Sequence, residues 1–217
     1  MKTLKEKREK AAIAVKLLET EYPNAKCSLD YEDPYQLLIS TRLSAQCTDA
    51  RVNMVTPKLF QRFPTPKSLS EGTIDEIEEL IKTCGLYKTK AKDLKGIGEM
   101  LSNEFGGKVP GTMEELLKLP GVGRKTANLV LGDIFNQPAV VADTHFIRLC
   151  GRMGFLNTKD PLKVETAMRK ILPPEKSNDF CHRAVLHGRA VCTARRAYCE
   201  KCCLFDVCDK KIKLIKS

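Results

Sequence analysis

The chain has 217 residues, of which 42% are hydrophobic, and its 37 Lys plus Arg against 27 Asp plus Glu give a formal net charge of +10. That length suits one domain or two small ones, and the basic excess favours a polyanionic partner. No apolar run approaches ~20 residues, which excludes a membrane-spanning helix. The charged opening MKTLKEKREK is not followed by the apolar stretch of a signal peptide, so a cytoplasmic protein with no export signal is expected.

From Lys5 to Glu21 the pattern is helical, with Leu4, Arg8, Ala11, Val15 and Leu18 on one stripe, and Pro23-Asn24 ends it. Asp33-Pro34 reads as an N-cap followed by proline at the first helical position. That helix carries Leu37, Leu38 and Leu43 and runs out near Ser44-Ala45-Gln46. Thr48 or Asp49 caps a third helix reaching Phe60, and FPTPKS is read as a breaker. Thr73 and Glu76 have capping-box spacing ahead of the apolar face Ile74, Ile77, Leu80 and Ile81, with Gly85 as the stop. Thr89 to Phe105 is a further helix, although Gly96 and Gly98 each weaken it by roughly 1 kcal/mol relative to Ala. Thr112 with Glu115 is another capping pair.

The next stretch, MEELLKLPGVGRKTANLVLGDIFNQPAVVADTHF, is the most informative. A short helical run breaks at Leu119-Pro120-Gly121-Val122-Gly123, and a second helix begins near Arg124. Two close glycines at the mouth of a helix leave backbone N–H groups facing outward with no Cβ in the way. Together with the positive end of the helix dipole they make an anion site, and Pro120 stiffens the entry. A plain αα-hairpin with a Gly-rich turn has the same outline. The following Arg124 and Lys125, in a chain this basic, favour a helix-hairpin-helix that grips a nucleic-acid phosphate through Gly121, Val122, Gly123 and Arg124. KGIGEM lacks the proline and any catalytic sequel, so it reads as ordinary helix.

After Asp143 a helix runs to Met153 and ends at Gly154; Asp160-Pro161 starts another through Leu172, closed by Pro173-Pro174; residues 178 to 190 are helical again. No strand alternation, clean linker or internal repeat is evident, so the fold class is all-α.

Lys125 lies one residue into the helix behind the hairpin. A lysine attacks a sugar C1′ only as a neutral amine, and the helix N-terminus, neighbouring Arg124 and partial desolvation all disfavour its charged form. An amine nucleophile forms a Schiff base, and an imine at C1′ acidifies the C2′ proton so that β-elimination can follow. A simple phosphate contact is the plain alternative. Asp143 ahead of a helix is an ordinary N-cap, yet a carboxylate there can also stabilise an oxocarbenium-like sugar, provided that only one oxygen caps. His145 reads as a helix residue with an ordinary hydrogen bond.

Ten cysteines in an unexported chain point to metal ligands and free thiols rather than disulfides. Cys192, Cys199, Cys202 and Cys208 form C-x6-C-x2-C-x5-C, which suits a tetrahedral thiolate site for zinc or an iron–sulfur cubane; spacing alone does not separate the two. Cys203 is a spare thiol, and Cys27, Cys47, Cys84, Cys150 and Cys181 read as buried small hydrophobes. Arg195 and Arg196 sit in a basic loop between the first two ligands. They are placed to touch phosphates, unless the loop is merely solvated charge.

LPGVGRKTAN followed by ADTHFIR, with LLISTRLSAQCTD and IKTCGLYKTKA upstream and the cysteine cluster downstream, resembles the endonuclease III family of DNA glycosylases with abasic-site lyase activity. The resemblance covers most of the chain. It implies an all-α helix-hairpin-helix DNA glycosylase fold with two helical domains and a DNA cleft between them. Residues 27–136 would form a six-helix domain containing the hairpin. Residues 1–26 with 137–217 would form a discontinuous domain carrying a [4Fe-4S] cluster on Cys192, Cys199, Cys202 and Cys208. It also implies that Lys125 is the nucleophile and Asp143 the catalytic carboxylate. Adenine-specific mismatch glycosylases share the hairpin but lack that lysine.

A glycosylase must take its nucleotide out of the stack. The resemblance puts Gln46 at the gap-filling position and Leu86 at the wedge; from the residues alone they are a surface amide and a helix-end hydrophobe. The expected enzyme is a monomeric base-excision repair glycosylase and lyase. It removes oxidised or ring-saturated pyrimidines and acts on double-stranded DNA with damaged bases or abasic sites. The rivals are a same-fold enzyme for mismatched uracil or thymine or for 8-oxoguanine, a non-catalytic DNA-binding module, and an iron–sulfur redox protein. The pairing of Lys125 with Asp143 argues against the last two.

Overall fold

The computed structural model describes residues 2–210. In chain order they form α1 (Leu4–Glu21), α2 (Pro34–Leu43), α3 (Asp49–Arg62), α4 (Pro66–Glu71), α5 (Ile74–Ile81), α6 (Tyr87–Glu104), α7 (Met113–Leu116), α8 (Arg124–Asp133), α9 (Thr144–Met153), α10 (Pro161–Ile171) and α11 (Ser177–Ala190), with 3-10 turns at Pro174–Lys176 and Cys199–Lys201. The fold is all-α: among the described residues the only β contact is an isolated bridge between Cys192 and Ala197. The chain divides into two compact units, Cys27–Phe135 and Met1–Lys26 with Asn136–Ser217.

The Cys27–Phe135 unit is built round α2. Asp33 caps it by accepting from Gln36 N at 2.8 Å, and Pro34 occupies the first helical position. Every residue of α2 from Leu37 to Leu43 is buried, as a helix enclosed on all sides must be, and α3, α6 and α8 pack on it. Thr48 caps α3, and the Thr73–Glu76 capping box starts α5.

FPTPKS corrects the reading of a breaker. Thr65 caps by accepting from Ser68 N, Pro66 takes the first helical position, and α4 follows. Proline breaks a helix from within but is preorganised for its first turn. The unit therefore holds seven helices, one more than the six expected. The glycines of α6 have a packing reason. A Cβ at Gly98 would lie 2.8 Å from Pro66 O and 2.9 Å from Ser70 N, so glycine is what lets α4 close on α6. A Cβ at Gly96 would lie 2.9 Å from Cγ of Pro120.

In the other unit, α1 buries Ala11, Ala14, Val15 and Leu18 against α10 and α11. A Thr3–Glu6 capping box starts the helix at Leu4, one residue before the Lys5 start read from the sequence, and Leu4, placed by sequence on the stripe, is exposed. Lys10 is buried instead: its Nζ donates to Met153 O and to Asp209 Oδ1 at 2.6 Å and lies 5.5 Å from the Phe155 ring centroid. Phe146 of α9 and Phe180 of α11 meet edge-on, with centroids 6.0 Å apart. Gly154 ends α9 at φ +83°, the left-handed geometry that favours glycine at a helix C-terminus.

Candidate active site

The turn between α7 and α8 is fixed from below. Gly121 sits at φ +67°, and a Cβ there would collide with the Arg42 guanidinium and lie 2.5 Å from Asp93 Oδ2. Arg42 of α2 and Asp93 of α6 form an ion pair beneath the turn, with Nε donating to Oδ2 at 2.9 Å. Leu116, Leu119 and Val122 are buried, and Pro120 rests over Gly96. Gly123 is the opposite case: its φ is −101°, and a Cβ would meet nothing within 4 Å. One glycine is demanded by the protein, and the other leaves an open approach to the N-terminus of α8. Val122 differs from its neighbours, because its side chain is buried and its N–H donates to Leu119 O at 3.1 Å. Its N–H is thus committed within the turn.

Lys125 and Arg124 are exposed on the first turn of α8, so the partial desolvation expected of Lys125 is not supplied by the chain itself. No side-chain hydrogen bond caps this helix, and the first N–H groups of any α-helix have no partner within the helix itself.

Gln46 and Leu86 share two features that sequence does not reveal. Both are exposed, and both sit in the left-handed region, at φ 52° and φ 60°. For residues with a Cβ that conformation costs roughly 1–2 kcal/mol, and such strain concentrates at functional sites. Leu86 is 56% exposed at the start of α6, with no side-chain cap. The two loops are neighbours: a Cβ at Gly85 would lie 3.2 Å from Gln46 O.

In the other unit, Asp143 is half-buried and caps α9, its Oδ1 accepting from Phe146 N at 2.7 Å. The cap uses a single oxygen. His145 Nδ1 lies 3.0 Å from Arg148 Nη2, and burial lowers the pKa of this histidine.

Arg148 and Arg152 are buried on α9, four residues apart, and both reach the cysteine loop. Arg148 donates to Cys192 O at 2.9 Å and to Gly188 O at 2.8 Å. Arg152 Nη1 donates to Thr193 O at 2.7 Å and approaches Cys192 Sγ at 3.2 Å. Sequence reasoning passed over both; the available signal was a pair of charges at i, i+4 on the inward face of an apolar helix. It also passed over His187, which is fully buried between Tyr22 Oη at 3.2 Å and Cys202 Sγ at 3.3 Å. Burial drives its pKa down to about 4, so it is neutral.

Cys192, Cys199, Cys202 and Cys208 line one cavity together with Leu149 and Leu204. All four are free thiols, and burial pushes the Cys202 thiol up to about 11. Donors already face the sulfurs: Lys210 N lies 3.3 Å from Cys208 Sγ, in addition to Arg152 at Cys192. Among the described residues no three metal-ligating side chains yet converge at coordination distance. Of the cysteines read as buried hydrophobes, Cys84, Cys150 and Cys181 are buried, whereas Cys27 and Cys47 are only half-buried.

Between Cys192 and Cys199, Thr193 Oγ1 accepts from Arg196 N at 3.1 Å and fixes the loop. Arg196 stacks 4.8 Å from the Tyr198 ring centroid and faces Glu200 at 4.0 Å, while Arg195 projects into solvent.

Residues 39–174 match the family model described as HhH-GPD superfamily base excision DNA repair protein. Endonuclease III of Synechocystis sp. is 46% identical over 209 residues, spanning 96% of this chain and 95% of the relative. The chain belongs to the endonuclease III family. Endonuclease III of Escherichia coli is 38% identical, over 96% of this chain and 98% of its own. Among solved structures, a trapped endonuclease III–DNA covalent intermediate covers both chains in full at 38% identity and a TM-score of 0.88. A thermostable thymine-DNA glycosylase covers 94% of this chain and 98% of its own at 27% identity and a TM-score of 0.84. This member of the family is accordingly a base-excision DNA repair enzyme, a DNA glycosylase and abasic-site lyase.

Proposed function

We propose that Lys125 and Asp143 carry the glycosylase and lyase reactions of this chain, on oxidised or ring-saturated pyrimidines in duplex DNA. The observation that carries this is Lys125 itself: a solvent-facing amine on the first turn of α8, beside a hairpin whose glycine at 123 leaves the approach open. The amine attacks C1′, the glycosidic bond breaks and the base departs. The resulting imine acidifies the C2′ proton, and its loss expels the 3′ phosphate. Duplex DNA bound over Lys125 supplies the desolvation that favours its neutral form. That a relative has been trapped as a covalent DNA complex supports an amine nucleophile here too. The Asp143 oxygen not used as a cap provides negative charge for the oxocarbenium-like sugar.

Gly121, Gly123 and Arg124 hold a phosphate in this reading, Gln46 fills the gap left by the extruded nucleotide, and Leu86 parts the base step. Arg195 and Arg196 add phosphate contacts. The groups 27–136 and 1–26 with 137–217 act as the two domains of a monomer. A duplex-DNA substrate makes the cytoplasm, at the nucleoid, the compartment of action.

Cys192, Cys199, Cys202 and Cys208 would hold a [4Fe-4S] cluster. Four thiols on one cavity, with N–H donors already directed at sulfur, fit an anionic cluster of this kind. When bound, the cluster fixes the fold of the loop that presents Arg195 and Arg196.

The test is a set of single-lesion duplexes that includes thymine and uracil mismatches, assayed for base release, with borohydride present to trap the imine. Release of oxidised pyrimidines with a trapped adduct is the expected result. Preferential release from mismatches would move the enzyme to the thymine-specific reading.

A further inference from the structure

Cys47 and Cys84 stand on the two loops of the Cys27–Phe135 unit that also carry Gln46 and Leu86, and the glycosylase chemistry uses neither. Both are free cysteines, and the Cys84 thiol is pushed up first by burial and then by the neighbouring Cys47. The backbones meet as well, since a Cβ at Gly85 would lie 3.2 Å from Gln46 O. Cys84 is buried, while Cys47 is half-buried and reachable from solvent. The charges around them are positive. The fully buried Lys90, whose Nζ donates to Leu43 O at 2.7 Å, acts on both thiols, and Arg51 acts on Cys84. A partly exposed thiol in electropositive surroundings with a second thiol on the adjoining loop is the setting in which oxidation is site-selective. Cys150 and Cys181 also neighbour each other, but both are buried away from any oxidant.

We propose that Cys47 and Cys84 form a peroxide-oxidisable dithiol whose disulfide clamps together the loops bearing Gln46 and Leu86. The functional half of this rests on the reading of those two residues as gap filler and wedge. The first step is attack of the Cys47 thiolate on one oxygen of hydrogen peroxide. The O–O bond breaks, and the departing hydroxide takes up a proton to leave as water. Cys47 becomes a sulfenic acid. Burial pushes the Cys84 thiol up to about 11, so it acts second, as the resolving thiol. It gives up its proton and attacks the Cys47 sulfur, and the S–O bond breaks with release of a second water. Two thiols lose two electrons, and one peroxide is reduced to two waters. Covalent closure holds the two sulfurs at the disulfide bond length of ~2.0 Å. Gln46 and Leu86, already in strained left-handed conformations, then lose the freedom to enter a duplex.

The test uses the cluster-loaded full chain, titrated with hydrogen peroxide while the cluster absorbance is followed. Free thiols are then alkylated and the chain is cut with trypsin. Cleavage after Arg42, Arg51, Lys82 and Lys88 isolates LSAQCTDAR and TCGLYK. The expected product is these two peptides joined, two hydrogens lighter, and separated by dithiothreitol. Base release from a lesion duplex should fall in step with the cross-link, with cluster absorbance unchanged, and return on reduction. Cys47→Ser should keep its base release through the same treatment; Cys84→Ala is the second variant should the first fold poorly. Recovery of both peptides alkylated after peroxide overturns the dithiol, whatever happens to activity. A complete cross-link with unaltered base release overturns the clamp. Gln46→Ala and Leu86→Ala in reduced protein examine the wedge reading separately, so its failure is distinguishable from failure of the dithiol.

Discussion

The hairpin at Leu119–Gly123 and the cysteine loop at Cys192–Cys208 reach order by different routes. Neighbours already in place set the hairpin: the Arg42–Asp93 pair lies under Gly121, Gly96 lies under Pro120, and Leu116, Leu119 and Val122 are buried. Nothing needs to bind for the turn to hold its shape. The cysteine loop has one isolated bridge, one 3-10 turn and two arginines gripping its carbonyls, and its four thiols line a cavity without converging. A preorganised backbone can therefore lose a functional side chain and keep its fold. A loop with few contacts of its own, if its thiols hold the proposed cluster, loses shape when one of those thiols is removed.

Lys125→Gln gives the largest effect on the hairpin side. Strand cleavage and the borohydride adduct on an abasic duplex should disappear, while the melting temperature and duplex binding stay close to wild type, because Lys125 is exposed and the backbone donors remain. A surviving adduct would remove the nucleophile from this position. On the other side, Cys202→Ser should lower iron content and soluble yield together, since ligand loss removes folding free energy. Purified wild type should be yellow-brown with about four irons, as a cubane requires; stoichiometric colourless zinc would contradict the cluster.

Asp143→Asn separates cap from charge. Asn is also a good N-cap, so stability should hold while single-turnover base release slows by ~2–4 kcal/mol of barrier. A wild-type rate would leave Asp143 as a cap alone. The two glycines sharpen the contrast within one turn. Gly121→Ala should cost about 2 kcal/mol in denaturant unfolding, from the left-handed conformation plus displacement of the ion pair. Gly123→Ala, at a surface position with open space around it, should stay within ~0.5 kcal/mol yet weaken DNA binding. Equal stability losses would mean that the turn is not fixed from below. The smallest effects belong to the arginine loop, where Arg195→Ala should reduce the salt-dependence slope of binding by about 1. Arg196→Ala should do less, because that guanidinium is partly engaged with Tyr198 and Glu200.

Elements with local causes were legible in the sequence. Asp33-Pro34, Thr73 with Glu76, and Asp143 with Gly154 are complete start and stop signals within one or two turns of chain, and the helices follow them. What escaped depended on distant partners. Gly96 and Gly98 looked like a defect because the atoms they admit, in Pro120 and α4, are remote in sequence. FPTPKS misled because proline has opposite effects at a first turn and inside a helix. The hairpin, Lys125 and the four cysteines lay in compact motifs. The left-handed backbone of Gln46 and Leu86, the cost of which no composition shows, did not. Arg148, Arg152 and His187 were hidden because a buried charge or imidazole is recognised only once its acceptors are in view.

The division of the chain has a consequence for its synthesis. Translation runs at ≈ 5–20 residues per second. The Cys27–Phe135 unit is contiguous and can fold as soon as it clears the ribosome. Helix α1 is made well before its partners, for its apolar stripe of Ala11, Ala14, Val15 and Leu18 docks on α10 and α11, of which the second ends at Ala190. Once synthesised, α1 therefore waits on the order of ten seconds or longer for its partners. Its many lysines and glutamates keep it soluble during that wait.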